Sequence, residues 1–168
     1  MTKAVLDSSV IIALSYVDLF SELEKIFNEI LIPQAVYDEV CLNGSGLTGD
    51  KPLREAVSVG KVKVIRPCDR RLVEALIDPL GKGEAESLAL AAEEEVDVLV
   101  IDDRLARRKA RNIGLPVVGT LRILRMMFDR DIVDSEKFIE SIKDLREYGF
   151  RVSDRVVKNI KKAKRREQ

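Results

Sequence analysis

Histidine is missing from this sequence altogether, and that absence removes more chemistry than any other feature of the composition. Without imidazole there is no Ser-His-Asp or Cys-His nucleophile, no His general acid or base, and no His-ligated metal site. Tryptophan is also absent and aromatics amount to 5%, so an extended base-stacking platform is not supported. The two cysteines, Cys41 and Cys68, lie far apart and outside any CxxC pair, which argues against structural zinc and against a disulfide framework. Such lone cysteines fit a reduced compartment. Long apolar runs are lacking too. The stretch VLDSSVIIAL is interrupted by Asp7 and no basic segment precedes it, so neither a signal peptide nor a membrane span is expected. The expected location is cytoplasmic, by elimination. Finally, no sign of charge dominates: 29 basic residues balance 29 acidic ones, and disorder driven by net charge is not expected. Balance does not exclude a nucleic-acid partner, because what matters there is where the charges sit.

What is present suits one domain with a sizeable core, 168 residues at 46% hydrophobic content. Strands and helices alternate. KAVL (3–6) reads as a buried strand ending at Asp7, with Ser8 and Ser9 as possible caps of the helix VIIALSYV. Leu19, Leu23, Ile26, Phe27 and Ile30 fall at helical spacing. The short strand ILI meets Pro33, which suits the first turn of a helix running through AVYDEVCL. NGSGLTGDKP predicts a mobile surface loop. A helix near 52–59 and the strand KVKVI follow, then a helix over 69–77. PLGKGEAESLALAAEEE reads as a glycine-flanked turn opening a helix. VDVLVI (96–101) is the best central strand and stops at Asp102-Asp103. RLARRKARNI predicts a helix closed by Gly114 at its C′ position. LPVV gives a last strand, GTLRILRMMFD a helix, and amphipathic helices near 134–148 and 152–163 end the chain. In the GTLRILRMMFD helix the apolar group Leu124, Met127 and Phe128 suits a core or an interface equally.

Strands separated by helices imply right-handed crossovers and a mostly parallel sheet covered on both faces, an α/β fold. In such sheets, sites form outside the carboxyl ends of the strands. Asp7 follows the first strand and Asp102/Asp103 the most hydrophobic one. Glu84 opens a helix after a glycine turn, and Glu39 lies on the helix after Pro33. Should these converge, two bare carboxylates at about 4 Å repel by about 4 kcal/mol at an effective dielectric near 20, which a bound cation would offset. Oxygen ligands without His or Cys select hard ions, so Mg²⁺ or Mn²⁺ is the expected cofactor. Each acid taken singly also has a plain alternative. Asp7 can serve as a helix cap, Glu39 and Glu84 as solvated helix acids, and Glu86, Glu93, Glu94 and Glu95 read as solvated.

Four segments, VLDSSVIIAL, IPQAVYDEV, GKGEAESLALA and VLVIDDRLARRKARNIGLPVVGTL, resemble the motif blocks of the PIN domain, in the same order. They are most similar to the prokaryotic VapC-like group and its relatives described as predicted nucleic-acid-binding proteins. The resemblance implies a three-layer α/β/α sandwich around a mostly parallel sheet, and a Mg²⁺- or Mn²⁺-dependent ribonuclease. Carried over by motif position, the catalytic acids are Asp7, Glu39, Glu84 and Asp103. Asp7, Glu84 and Asp103 are the implied metal ligands, with Asp102 a weaker candidate beside them. Ser8 matches the small polar residue that follows the first Asp in many relatives and is expected near the nucleic acid. Many relatives carry Thr or Ser two residues before the fourth acid, where this chain has Ile101. The catalytic domain is expected over 1–130, with a C-terminal helical extension and basic tail over 131–168 packed on it. The resemblance further implies a small antitoxin as partner and a homodimer; from the lack of an apolar span, no membrane partner is expected.

Capture of an RNA strand needs positive charge. Arg104, Arg107, Arg108 and Arg111 fall at i, i+3, i+4 and i+7, one stripe on the helix after Asp103, with Leu105, Ala106, Ala110 and Ile113 free to face the core. The same stripe can equally be a solvated face. Lys158, Lys161, Lys162, Lys164, Arg165 and Arg166 form a basic tail, for which solvation, RNA contact or partner binding are all open. Among rivals, a dinucleotide-binding domain calls for GxGxxG where this chain has DSSVII. A receiver-like domain needs its acidic pair at the first strand, whereas here the pair comes late. A non-catalytic PIN-like RNA-binding or scaffold protein is the alternative that remains.

Overall fold

The strongest apolar runs of the sequence pair side by side. In the computed structural model, which describes residues 2–152, five parallel strands form one sheet in the order β3-β2-β1-β4-β5. The strands are β1 (Lys3–Leu6), β2 (Glu29–Pro33), β3 (Val62–Ile65), β4 (Val98–Val100) and β5 (Val117–Val118). The helices are α1 (Ser8–Tyr16), α2 (Gln34–Tyr37), α3 (Asp50–Ser58), α4 (Arg70–Ile77), α5 (Lys82–Glu93), α6 (Arg104–Asn112), α7 (Thr120–Asp129) and α8 (Ser135–Glu147). The chain divides into two compact units, Met1–Thr120 and Leu121–Gln168.

The period of two in a strand sends alternate side chains to opposite faces of the sheet. Val5, Leu31, Leu99 and Ile101 enter one cluster with Val73 and Leu76 of α4, Leu88 of α5, and Ala106 and Ala110 of α6. Ala4, Leu6, Ile30, Ile32 and Val100, at the intervening positions, are also buried. The sheet is therefore covered on both sides, the α/β/α sandwich expected of alternating strands and helices. Each fully buried Leu or Ile contributes roughly 1.5–3 kcal/mol, so this double burial accounts for the choice of strands. Strand order runs outward from β1 through β2 to β3 on one side, and through β4 to β5 on the other. The switch point lies between β1 and β4, where their carboxyl ends leave a crevice. Asp7 sits there: its amide donates to the Val100 carbonyl at 3.1 Å.

Several local expectations change. The only helical segment within residues 19–29 is a 3₁₀ turn, Ser21–Lys25, although Leu19, Leu23, Ile26 and Phe27 are buried as their spacing suggests. Pro33 closes β2 and caps α2 in an extended conformation; it is not part of the first turn. After four α residues the chain widens into a π segment, Asp38–Asn43, which carries Glu39. The expected surface loop is exposed over Ser45–Thr48, but α3 starts early at Asp50. The Asp50 carboxylate, buried, accepts from the Gly46 amide at 2.7 Å and pairs with Arg54 at 2.5 Å, which ties the turn down. Strand β4 is shorter than the apolar run that announces it. Ile113 is exposed at the end of α6, where Gly114 turns the chain with φ +81°.

In the second unit, Leu124 and Met127 are buried and the Phe128 and Phe138 rings stack with centroids 4.9 Å apart. Asp134 caps α8 by accepting from the Lys137 amide. The second C-terminal helix expected near 152–163 and the basic residues Lys158 to Arg166 lie outside the described residues. Among the described residues no helix is long and apolar enough to cross a membrane.

Candidate active site

Asp7 ends β1 and caps α1, which follows from a short carboxylate placed one residue before a helix. Its Oδ2 accepts from Ser9 twice, from the hydroxyl at 2.8 Å and the amide at 3.3 Å. Ser8 and Ser9 are thus not the caps. Ser8 is the buried first residue of α1, and Ser9 orients the acid. The other oxygen, Oδ1, is buried and has no hydrogen-bond partner. Only 2% of the residue is exposed. Burial pushes the Asp7 carboxyl up to about 6, the two Ser9 bonds oppose this, and the like charges of Glu84 and Glu39 add to it.

Glu39 reaches Asp7 across a glycine. Gly83, buried in the first turn of α5, offers no side chain, and a β-carbon there would lie 2.9 Å from Glu39 Oε2 and 3.9 Å from Asp7 Oδ1. The two oxygens are therefore within about 7 Å of each other, where like charges repel by about 2 kcal/mol at an effective dielectric of about 20. Glu84 folds back over Gly81, its Oε2 2.6 Å from where a β-carbon would stand. The start of α5 places these acids in the positive field of a helix N-terminus, a partial compensation. Glu39 is exposed and Glu84 half-buried, so the cradle opens to solvent on their side.

The acids after β4 are held differently. Asp102 receives the Thr120 amide at 2.9 Å and the Thr120 hydroxyl at 2.6 Å. Gly119 allows that approach, since a β-carbon there would stand 2.7 Å from Asp102 Oδ1. Asp103 caps α6, its Oδ1 accepting from the Ala106 amide at 2.8 Å, and is exposed. Thus Glu39 approaches Asp7 across Gly83 and Glu84 folds over Gly81, while Asp102 and Asp103 occupy the neighbouring strand end with local partners of their own.

A hard cation suits the chemistry of this donor set: oxygen-only ligands, one of them buried with an oxygen unpartnered. The fit is open rather than closed, because among the described residues no three acidic or sulfur side chains stand as a ready group of metal ligands. On α6, Arg104, Arg108 and Arg111 are exposed, and Arg107 is half-buried with its Nε buried and unpartnered. Ala106 and Ala110 turn to the core and Leu105 does so in part, whereas Ile113 does not.

Glu86 differs most from expectation. It is not a solvated helix acid but is 3% exposed, accepting from the Ala35 amide at 3.1 Å and facing Arg70 Nη1 at 3.4 Å. Glu93 also has a task, receiving the Cys68 and Asp69 amides at 2.8 and 2.6 Å ahead of α4. Glu94 pairs with Lys3 at 2.5 Å. Position along the chain gave no signal for Glu86; its burial is decided by the start of α2, whose cap residue Pro33 makes no side-chain cap bond.

Among curated proteins no match is found. A family model described as a PIN domain matches residues 3–165, nearly the whole chain, and the chain belongs to that family. PIN domains are generally nucleases and typically use divalent metals.

Proposed function

We propose that this PIN-domain protein is a divalent-metal-dependent ribonuclease that hydrolyses RNA phosphodiester bonds. The observation that carries the reading is the Asp7 carboxylate, buried at the sheet's switch point with Oδ1 unpartnered and with Glu39 and Glu84 beside it. A folded chain keeps so costly a group where something else balances it. Asp7, Glu84 and Asp103 are the residues that would hold Mg²⁺ or Mn²⁺, with Asp102 a weaker ligand. Bound there, the cation would lower the pKa of a coordinated water and polarise the phosphoryl oxygens. Glu39, exposed at the rim, would hold the cation through a water at Oε2 and orient that water for attack. Arg104, Arg107, Arg108 and Arg111 neutralise the strand's phosphates, and Ser8 lies beside Asp7 at the same strand end. By family likeness the protein acts in the cytoplasm, as the toxin of a pair with a small antitoxin, and forms a homodimer.

The test is cleavage of single-stranded RNA by the purified protein with Mn²⁺ or Mg²⁺, with EDTA, and for Asp7→Asn. Cleavage that needs the cation and disappears in the variant is expected. One observation favours a second reading, a non-catalytic RNA-binding or scaffold protein: the acids do not form a closed ligand set among the described residues. No Mn²⁺ binding by calorimetry together with no cleavage of any RNA selects it.

A further inference from the structure

Helix α5 is buried nearly all round, from Ala85 to Ala91, and Glu86 is the one carboxylate inside that buried stretch. Burying a carboxylate costs several kcal/mol unless hydrogen bonds answer it, so its partners show what it is for. Glu86 Oε2 accepts from the Ala35 amide at 3.1 Å, and Oε1 faces Arg70 Nη1 at 3.4 Å. The Ala35 amide is one of the first-turn donors of α2, a helix whose own cap residue is Pro33 and makes no side-chain cap bond. Glu86 therefore supplies, from 51 residues away, the acceptor that the local sequence withholds.

The same helix carries Glu84 two residues earlier. Residues two apart point about 200° apart around a helix of 3.6 residues per turn, so the pair faces opposite ways. Glu84 acts on Asp7, while Glu86 grips α2. Four residues beyond Ala35, the π segment that continues α2 carries Glu39, whose Oε2 lies over Gly83 of α5.

We propose that Glu86 is a positioning residue, which caps α2 across the fold and so fixes Glu39 over Gly83 and beside Asp7. Its function rests on the cation site proposed above, but its geometry does not. Outer partners that orient ligating carboxylates are typically worth about 10–100-fold in metal affinity, and that is the size of effect expected here.

The experiment uses the full chain and reads Mn²⁺ affinity by calorimetry, amide hydrogen exchange at residues 35–39, and thermal midpoint. Glu86→Ala is expected to weaken Mn²⁺ about 10–100-fold and to speed exchange selectively at Ala35 and Glu39. Glu86→Gln keeps a carbonyl acceptor for the Ala35 amide and is expected to restore both toward the parent values. If Glu86→Ala fails to fold, Glu86→Met fills the volume without an acceptor and is read the same way. A variant that lowers the thermal midpoint while leaving Mn²⁺ affinity at the parent value overturns the proposal, since Glu86 is then only a structural acid. If the parent protein binds no Mn²⁺, the cation reading falls and exchange alone decides. Unchanged protection at residues 35–39 then overturns the proposal, and selective loss there upholds it.

Discussion

Gly83 leaves Glu39 the room it occupies: a β-carbon at residue 83 would stand 2.9 Å from Glu39 Oε2, closer than carbon and oxygen allow. The obstruction is the far end of a flexible side chain, so the backbone has no need to move and Glu39 yields instead. Alanine is also the better helix former by roughly 0.5–1 kcal/mol. Gly83→Ala is therefore expected to hold or raise the thermal midpoint while weakening Mn²⁺ binding and RNA cleavage by about tenfold or more. Parallel melting and calorimetry check this, and an active, fully cation-binding Gly83→Ala protein would show that Glu39 does not work from its present position.

The raised pKa of Asp7 gives a pH signature. Asp7 holds its proton more tightly folded, at about 6, than unfolded, near 3.8. Its contribution to stability is therefore fully present below about pH 4, is lost as pH rises toward 6, and stays lost above. Asn caps a helix as well as Asp and keeps an acceptor for Ser9. In EDTA, Asp7→Asn is expected to be more stable than the parent at pH 7 by about 2 kcal/mol, the pKa cost less the burial of an amide. The gain should vanish by pH 4. Denaturant melts at pH 4, 5, 6 and 7 measure it, and a variant less stable at pH 7 would contradict the assignment of burial as the cause.

How much of this was legible in the sequence depends on how far away each cause sits. Leu6, Leu31, Leu99 and their strands could be read because an apolar run needs only its own composition to announce burial. Asp7 and Asp102-Asp103 stood out because each ends such a run. The convergence of Asp7, Glu39, Glu84 and Asp102/Asp103 was an expectation; the fold sets Glu39 near Asp7 across Gly83, and among the described residues no three acids stand as a ready metal group. Glu86 was illegible: in a helix with many acids nothing local separates it from Glu93 or Glu95, and its burial is decided by the start of α2. Ile113 misled for a similar reason, since helical spacing assigns it a face but the helix ends just before it. The π segment carrying Glu39 left no pattern to read.

Asp102 and Asp103 stand side by side but should answer to substitution differently. Asp102 satisfies both the amide and the hydroxyl of Thr120, a fully buried residue, so Asp102→Ala strands two polar groups. A loss of about 2–3 kcal/mol is expected. Asp103→Ala removes a helix cap and should cost about 1 kcal/mol, whereas Asp103→Asn preserves the cap and should cost almost nothing. That makes Asp103→Asn the clean probe of function. Parent-like melting with RNA cleavage lost is the expected outcome if Asp103 holds the cation, and parent-like melting with full cleavage would remove it from the site.

The arginines of α6 separate by burial. Arg104, Arg108 and Arg111 are exposed, so replacing any one with Ala should leave stability within about 0.5 kcal/mol of the parent. Each such change should weaken binding of single-stranded RNA regardless of sequence. It should also reduce the slope of log affinity against log salt by about 0.7, the value for one lost phosphate contact on a single strand. Arg107 should behave otherwise, because its Nε is buried and its Nη1 lies 3.3 Å from where a Gly119 β-carbon would stand. Arg107→Ala removes packing beside Asp102 as well as a charge, so the thermal midpoint should fall together with RNA affinity. Fluorescence anisotropy at several salt concentrations, alongside melting, distinguishes the two behaviours. Unchanged salt slopes for Arg104→Ala, Arg108→Ala and Arg111→Ala would show that this stripe is solvated surface and that RNA, if bound, follows another path.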